Sequence, residues 1–307
     1  MAFNFAGKVR EATRVAKKLR AFVIGPSGSG KTLGALLIAA GLVAESGGRV
    51  LVLDSENGRS DLKKGCPELG DFTWDVVSEE PSKVTSAMIT ALLCYAEENG
   101  YAAVVIDSLS HAWNAVTEEH STMPGNSFTN WKIAKKPFHV MLRKMVGCDV
   151  HVIMTGRSKQ VYEQTISEKG KKNYEKVGLA PQVEDNTGYE FDLVFNIRQD
   201  HLAMMDKSEG GLFEDPPYFQ ITKETGVELK DWLAEGEAPD LRRKKVLISR
   251  IKELVEGAPK DALPSDTLKS PEEYLEMTVD QITEEGKTLK ALLDKTQAEA
   301  KNSKKAA

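Results

Sequence analysis

Cysteine is scarce in this 307-residue chain: Cys66, Cys94 and Cys148 are all there is. Three thiols, odd in number and far apart, fit buried thiols in a reducing cytosol better than a disulfide framework or a metal site. Histidine is nearly as rare, with five residues and no metal-ligand spacing among them, so no histidine-held metal is expected. Long apolar runs are missing as well. No segment approaches the roughly 20 apolar residues of a membrane-spanning helix, and no membrane partner is expected. The first twenty residues interleave small residues with Lys8, Arg10, Arg14, Lys17, Lys18 and Arg20, where a secretory leader needs an uninterrupted apolar core. A cytoplasmic protein without a leader is the expectation. The net charge of −5 argues against indiscriminate binding to nucleic acid.

What is present is a globular composition with one sharp motif. Residues 25–32 read Gly25-Pro26-Ser27-Gly28-Ser29-Gly30-Lys31-Thr32, directly after the apolar run 21–24 and directly before the helix-like run 33–44. A strand, this loop and a helix together are the context a P-loop requires. The glycines let backbone N–H groups turn inward around the α- and β-phosphates, Lys31 reaches the β- and γ-phosphates as a point charge, and the Thr32 hydroxyl ligates Mg²⁺. The positive end of the following helix points at the same anion. ATP and Mg²⁺ are therefore the expected ligands. Guanine nucleotides are disfavoured, because no Asn-Lys-x-Asp motif occurs.

Along the chain, expected strands at 21–24, 50–53, 73–77, 102–106 and 150–155 alternate with expected helices at 33–45, 81–98 and 132–146. That alternation predicts an α/β fold, a mainly parallel sheet flanked by helices. Residues 158–186 are polar, Lys-rich and Gly-containing and read as a long functional loop. Residues 189–198, 201–205 and 218–222 read as strands, the first two as an antiparallel hairpin around Gln199-Asp200. Beyond about 236 come charged helical segments at 241–255, 271–283 and 286–301, with fifteen acids and fourteen bases from Glu235 onward. The domain reading is a basic N-terminal segment 1–19, an ATPase core 20–235, and a helical tail 236–307. The Lys-rich end of that tail is frayed, with partial disorder as the open alternative.

Charge is unevenly spread. Between Lys132 and Lys176 there are eleven Lys or Arg against four Asp or Glu, either a solvated face or a track for a phosphate backbone. Asp107 ends the apolar run 104–106 as a Walker B aspartate does, placing its carboxylate on the Mg²⁺ side opposite Thr32. The next residue is Ser108, so a residue that polarises water must come from elsewhere. The strand 50–53 ends in Asp54-Ser55-Glu56, and functional groups gather at the carboxyl ends of parallel strands. Glu56 can face the γ-phosphate from there.

This arrangement resembles the RecA-like ATPases, in which the catalytic glutamate occupies that second strand. The resemblance narrows to a group of phage and prophage RecA-like, AAA-type ATP-binding proteins. It is carried by the P-loop, by 53–59 (Leu-Asp-Ser-Glu-Asn-Gly-Arg), by 105–113 (Val-Ile-Asp-Ser-Leu-Ser-His-Ala-Trp) and by Asn130-Trp131-Lys132. It continues through 151–160 (His-Val-Ile-Met-Thr-Gly-Arg-Ser-Lys-Gln), 176–181 and Tyr189-Glu190-Phe191-Asp192, in that order. It spans about residues 20–200 and leaves the tail uncovered.

The resemblance implies a RecA-like core plus a C-terminal helical appendage, acting among phage recombination and replication proteins, some described as single-strand annealing or recombinase-type. It implies Glu56 as the residue positioning the attacking water, Asp54 as structural, and Arg157, Lys159 and Gln160 as sensing and coupling residues, with Arg157 acting in cis or as a finger across a subunit interface. It further implies phosphate contacts by Lys169, Lys171, Lys172 and Lys176. Tyr162 and Tyr174 either stack on bases or pack against their own domain, and Trp113 and Trp131 read as packing residues. Single-stranded DNA, a second copy of the chain, and a replication or recombination protein bound by the tail are the expected partners. A small-molecule kinase and a nucleotide-dependent adaptor, such as a helicase-loading switch, are the competing functions.

Overall fold

The uninterrupted apolar stretches become the buried strands of the computed structural model, which describes residues 11–166, 172–236, 239–256, 258 and 269–306, with side chains left out at 159–179 and at several tail positions. Two units separate: Lys18–Trp232, and the two terminal stretches up to Lys17 and from Leu233. In the first unit, β1 (Arg20–Gly25) and β2 (Val50–Asp54) are buried along their whole length. β3 (Asp75–Ser78) lies at the edge and is largely exposed, whereas β4 (Ala103–Asp107) is again wholly buried. Then follow β5 (His151–Ile166), β6 (Lys172–Pro181), β7 (Leu193–Ile197) and β8 (Ala203–Ser208).

The strand order is β3-β2-β4-β5-β1-β7-β8, with β6 pairing only with β5. All neighbours on that path are parallel except β7 and β8, which run antiparallel. Strands buried on both faces need helices on both faces, and these are α1 (Lys31–Val43), α2 (Ser86–Glu98), α3 (Leu109–Thr122), α4 (Ser127–Ala134), α5 (Lys136–Gly147) and α6 (Lys223–Ala234). The fold is thus the expected α/β class. Phe22, Ile24, Leu53, Val104, Ile106 and Met154 from the sheet meet Leu93, Phe138, Met141 and Met145 from α2 and α5 in the main core.

α1 is buried from Gly34 to Val43, too deep to be amphipathic, and crosses α6 at van der Waals contact. A Cβ on Gly41 would come within 2.1 Å of the Lys223 carbonyl oxygen, and one on Gly226 within 2.3 Å of the Ile38 oxygen. Glycine on both sides is what permits that crossing. Among the described residues, no helix is long and apolar enough to cross a membrane.

Four local expectations are corrected. Residues 158–166 and 172–181 are not a loop: β5 continues through Ile166 and pairs antiparallel with β6 from Ser158↔Pro181 to Ile166↔Lys172. Its sequence is polar on both alternating sets, so the period of two carried no hydropathy contrast. Residues 218–222 form no strand, only the single bridge Ala203↔Phe219. The helix expected at 132–146 is broken into α4 and α5, which begins with Pro137 in its first turn, a residue without the N–H that would continue a helix. Pro81 opens a short 3₁₀ turn, and α2 starts only at Ser86, capped by Thr85, whose hydroxyl accepts the Met88 N–H at 3.2 Å.

In the second unit, α7 (Pro239–Glu256), α8 (Pro271–Glu276) and α9 (Val279–Ala306) follow one another. They close a small core of Ile251, Tyr274, Ile282 and Leu289. Ser270 and Glu273 form a reciprocal capping box at the start of α8, satisfying two otherwise orphaned N–H groups. The helical appendage is therefore present.

Candidate active site

Parallel pairing brings the carboxyl ends of four strands to one edge: Asp54 stands opposite Asp107, and Gly25 opposite Arg157. Everything that follows β1, β2, β4 and β5 therefore meets at one place. The loop after β1 turns through Gly28 (φ +79°) and Gly30 (φ +94°), left-handed conformations that a side chain would strain, and Gly30 caps α1. Lys31 Nζ donates to the Pro26 carbonyl at 2.8 Å. Burial pulls the ammonium below its ordinary value, opposed by the nearby Asp107 and Glu56 charges. Ser29 Oγ is buried without a hydrogen-bond partner. His201, at φ +65° in the turn between β7 and β8, places Nδ1 3.1 Å from the Ser29 carbonyl and so rests on the loop.

Asp107 is buried at the end of β4. The Thr32 hydroxyl donates to its Oδ2 at 2.6 Å, and the Thr155 hydroxyl of β5 donates to its Oδ1. Burial raises the carboxyl above its ordinary value; the two hydroxyls work against that rise, and Glu56 and Asp54 add to it. A carboxylate kept dry beside two other acids is an arrangement a divalent cation relieves. The oxygen-only donor set of Thr32 and Asp107 suits Mg²⁺, and the unpartnered Ser29 hydroxyl suits a phosphate oxygen. The residues fit both groups.

Glu56, following β2, is aimed inward by Asp54, whose carboxylate accepts the Glu56 N–H at 2.8 Å and both the N–H and hydroxyl of Ser60 at 2.7 and 2.6 Å. The Glu56 carboxylate itself is held by Arg157 of β5: Nε donates to Oε1 and Nη2 to Oε2, each at 2.8 Å. Arg59 stands 3.6 Å and His111 of α3 3.7 Å away. Burial works to raise the Glu56 carboxyl, but the Arg157 hydrogen bonds and charge, with His111 and Arg59, outweigh it and hold it below the ordinary value.

A cleft of about 1180 Å³ runs over these groups, its lining including Lys31, Thr32, Glu56, Asp107 and Arg157 together with Leu37, Ile197 and Ile221. A family model described as an AAA domain matches residues 17–220. The chain belongs to the AAA domain family. No curated protein matches it. Among solved structures, a KaiC-like protein from the hyperthermophilic archaeon Pyrococcus horikoshii OT3 is similar over 62% of this chain and 79% of its own, at 14% identity and a TM-score of 0.37.

Within this AAA domain, the structure brings Lys31, Thr32, Glu56, Asp107 and Arg157 to one cleft. It divides the basic run: Lys135 is paired with Glu184 at 2.8 Å, and Lys144 with Glu97. The side chains of Lys159, Gln160, Tyr162, Lys172, Tyr174 and Lys176, and the residues Lys169 and Lys171 altogether, lie outside the described residues. Trp113 and Trp131 stack at 6.0 Å and pack on the main core. Sequence reasoning missed Arg59, His111, Thr155 and His201 as site residues. Arg59 and His111 stand inside the stretches 53–59 and 105–113, but a position in a motif does not say which way a side chain points.

Proposed function

We propose that the chain is a Mg²⁺-dependent ATP hydrolase of the RecA-like type, acting in phage recombination or replication and coupling hydrolysis to single-stranded DNA. The observation that carries this reading is the meeting, in one cleft, of a P-loop lysine, a Thr–Asp pair and a buried glutamate on the neighbouring strand end. The apolar lining residues Leu37, Ile197 and Ile221 suit a nucleobase, and the loop 25–32 suits the phosphates. Mg²⁺ between Thr32 and Asp107 would neutralise charge on the β- and γ-phosphates. Glu56 orients a water for in-line attack, and Lys31 supplies fixed positive charge where negative charge accumulates.

Arg157 shares the carboxylate with that water, so hydrolysis requires the Arg157–Glu56 pair to open. Arg157 sits in β5 directly below its ribbon with β6, which supports DNA on the ribbon as the agent that opens it. The same pair favours a second reading, a nucleotide-dependent switch that hydrolyses only when a partner protein moves Arg157. A second copy of the chain and a protein bound by α7–α9 complete the proposed partners.

Phosphate release from ATP, measured with and without single-stranded DNA and with Lys31→Ala as blank, separates these readings. DNA stimulation supports the recombination reading. Activity indifferent to DNA removes its DNA half, and ADP formation that requires an added acceptor and releases no phosphate identifies a kinase instead.

A further inference from the structure

His111 is an ionisable group beside Glu56 that the mechanism above leaves without a task, and its hydrogen bonds define its state. The Ser55 hydroxyl has one proton and two lone pairs. It donates the proton to the Asp107 carbonyl at 2.7 Å and accepts the Ser108 N–H at 2.8 Å. The lone pair that is left faces His111 Nδ1 at 2.8 Å, so Nδ1 carries the hydrogen. In the neutral ring Nε2 then keeps a lone pair, and Nε2 stands 3.7 Å from Glu56 Oε1. That gap is just beyond hydrogen-bond reach while Arg157 occupies both carboxylate oxygens.

The ring is 4% exposed. Two charged groups face it, Glu56 beyond β2 and Arg157 of β5. Burial first, and Arg157 second, hold the imidazole below its ordinary value, with Glu56 opposing. A dry, neutral base therefore stands directly behind the carboxylate that orients water.

We propose that His111 is a positioning residue that takes up the proton Glu56 removes from the attacking water. The inference rests on the reading of Glu56 given above. As the water oxygen bonds to the γ-phosphorus, the bridging P–O bond breaks and its electron pair leaves with ADP. The water proton passes to the Glu56 carboxylate. From there it moves to His111 Nε2, leaving an imidazolium ion-paired to a restored carboxylate, and it departs to solvent with product.

The first test needs no turnover. Nitrogen-15 NMR of histidine-labelled protein at neutral pH should show one buried ring in the Nδ1–H form. His151, a half-buried imidazole, accepts the Leu19 N–H at Nδ1 and must be Nε2–H. His111→Asn keeps an amide donor for Ser55 while removing Nε2, and should delete the buried Nδ1–H signal while leaving that of the exposed His201, whose Nδ1 donates to the Ser29 carbonyl. It should leave ATP affinity within about twofold and lower kcat about tenfold or more. Wild-type kcat should fall at a pH lower than an ordinary imidazole would give, because burial holds the ring below its ordinary value, as the ring protonates and ceases to accept; the variant should lack that limb. A ring in the Nε2–H form, or an unchanged pH profile in His111→Asn, overturns the proposal. Should the variant not fold, the wild-type tautomer alone decides. Turnover persisting in Glu56→Gln would bring down the parent reading; loss there with an unaltered His111→Asn profile would bring down only this one.

Discussion

Arg157→Ala removes the guanidinium that clamps Glu56 and leaves a carboxylate only 7% exposed with Arg59 at 3.6 Å as its nearest cation. Breaking a fully buried pair costs about 3–5 kcal/mol, and an exposed one less than about 1 kcal/mol. Because the Arg157 side chain is 44% exposed and Arg59 partly substitutes, the expected loss is about 1–2 kcal/mol at pH 7. With a urea slope of about 3 kcal/mol/M for a unit of this size, the midpoint should move by about 0.3–0.7 M. The pH dependence has a definite sign. Glu56 is held below its ordinary value of 4.5, so its contribution is complete above that pH and disappears as pH falls through the lower folded value. Urea unfolding followed by circular dichroism at pH 7 and pH 3.5 should show the gap between wild type and variant narrowing at the lower pH. A gap that persists undiminished, or none at pH 7, refutes the ion-pair account.

Thr155→Val leaves Asp107 Oδ1 without its donor, at about 1–3 kcal/mol, and should lower Tm by roughly 2–10 °C in differential scanning calorimetry. Gly226→Val drives a Cβ to within 2.3 Å of the Ile38 oxygen and 2.8 Å of Gly41 Cα. It should lower Tm by more than about 10 °C or abolish soluble protein. Gly147→Ala, where a Cβ would meet nothing within 4 Å, should be neutral or stabilising by up to about 1 kcal/mol. Equal effects of the two glycine substitutions would contradict the packing account.

The core strands were legible because burial on both faces writes itself as unbroken runs such as Val50-Leu51-Val52-Leu53, and the P-loop because its chemistry demands glycines at set positions. α3 was not legible. Its polar residues from Thr117 to Thr122 dilute the helical periodicity, although Ala112 and Val116 sit on the core. The ribbon of β5 and β6 escaped for the reason already given, polarity on both faces. At the site, Asp107 and Glu56 were readable as strand-end acids, since a parallel sheet collects such residues at one edge. The Arg157–Glu56 pair was not, because the two residues are 101 positions apart and only the strand order β2-β4-β5 brings them together. His111 was hidden for the same reason.

The central claim, that Glu56 serves hydrolysis and not nucleotide binding, is tested most directly by measuring ATP affinity and single-turnover phosphate release for Glu56→Gln beside wild type, with Mg²⁺ and single-stranded DNA. The account predicts ATP affinity within about threefold of wild type and a rate reduced at least about a hundredfold. Release at the wild-type rate by Glu56→Gln would contradict it.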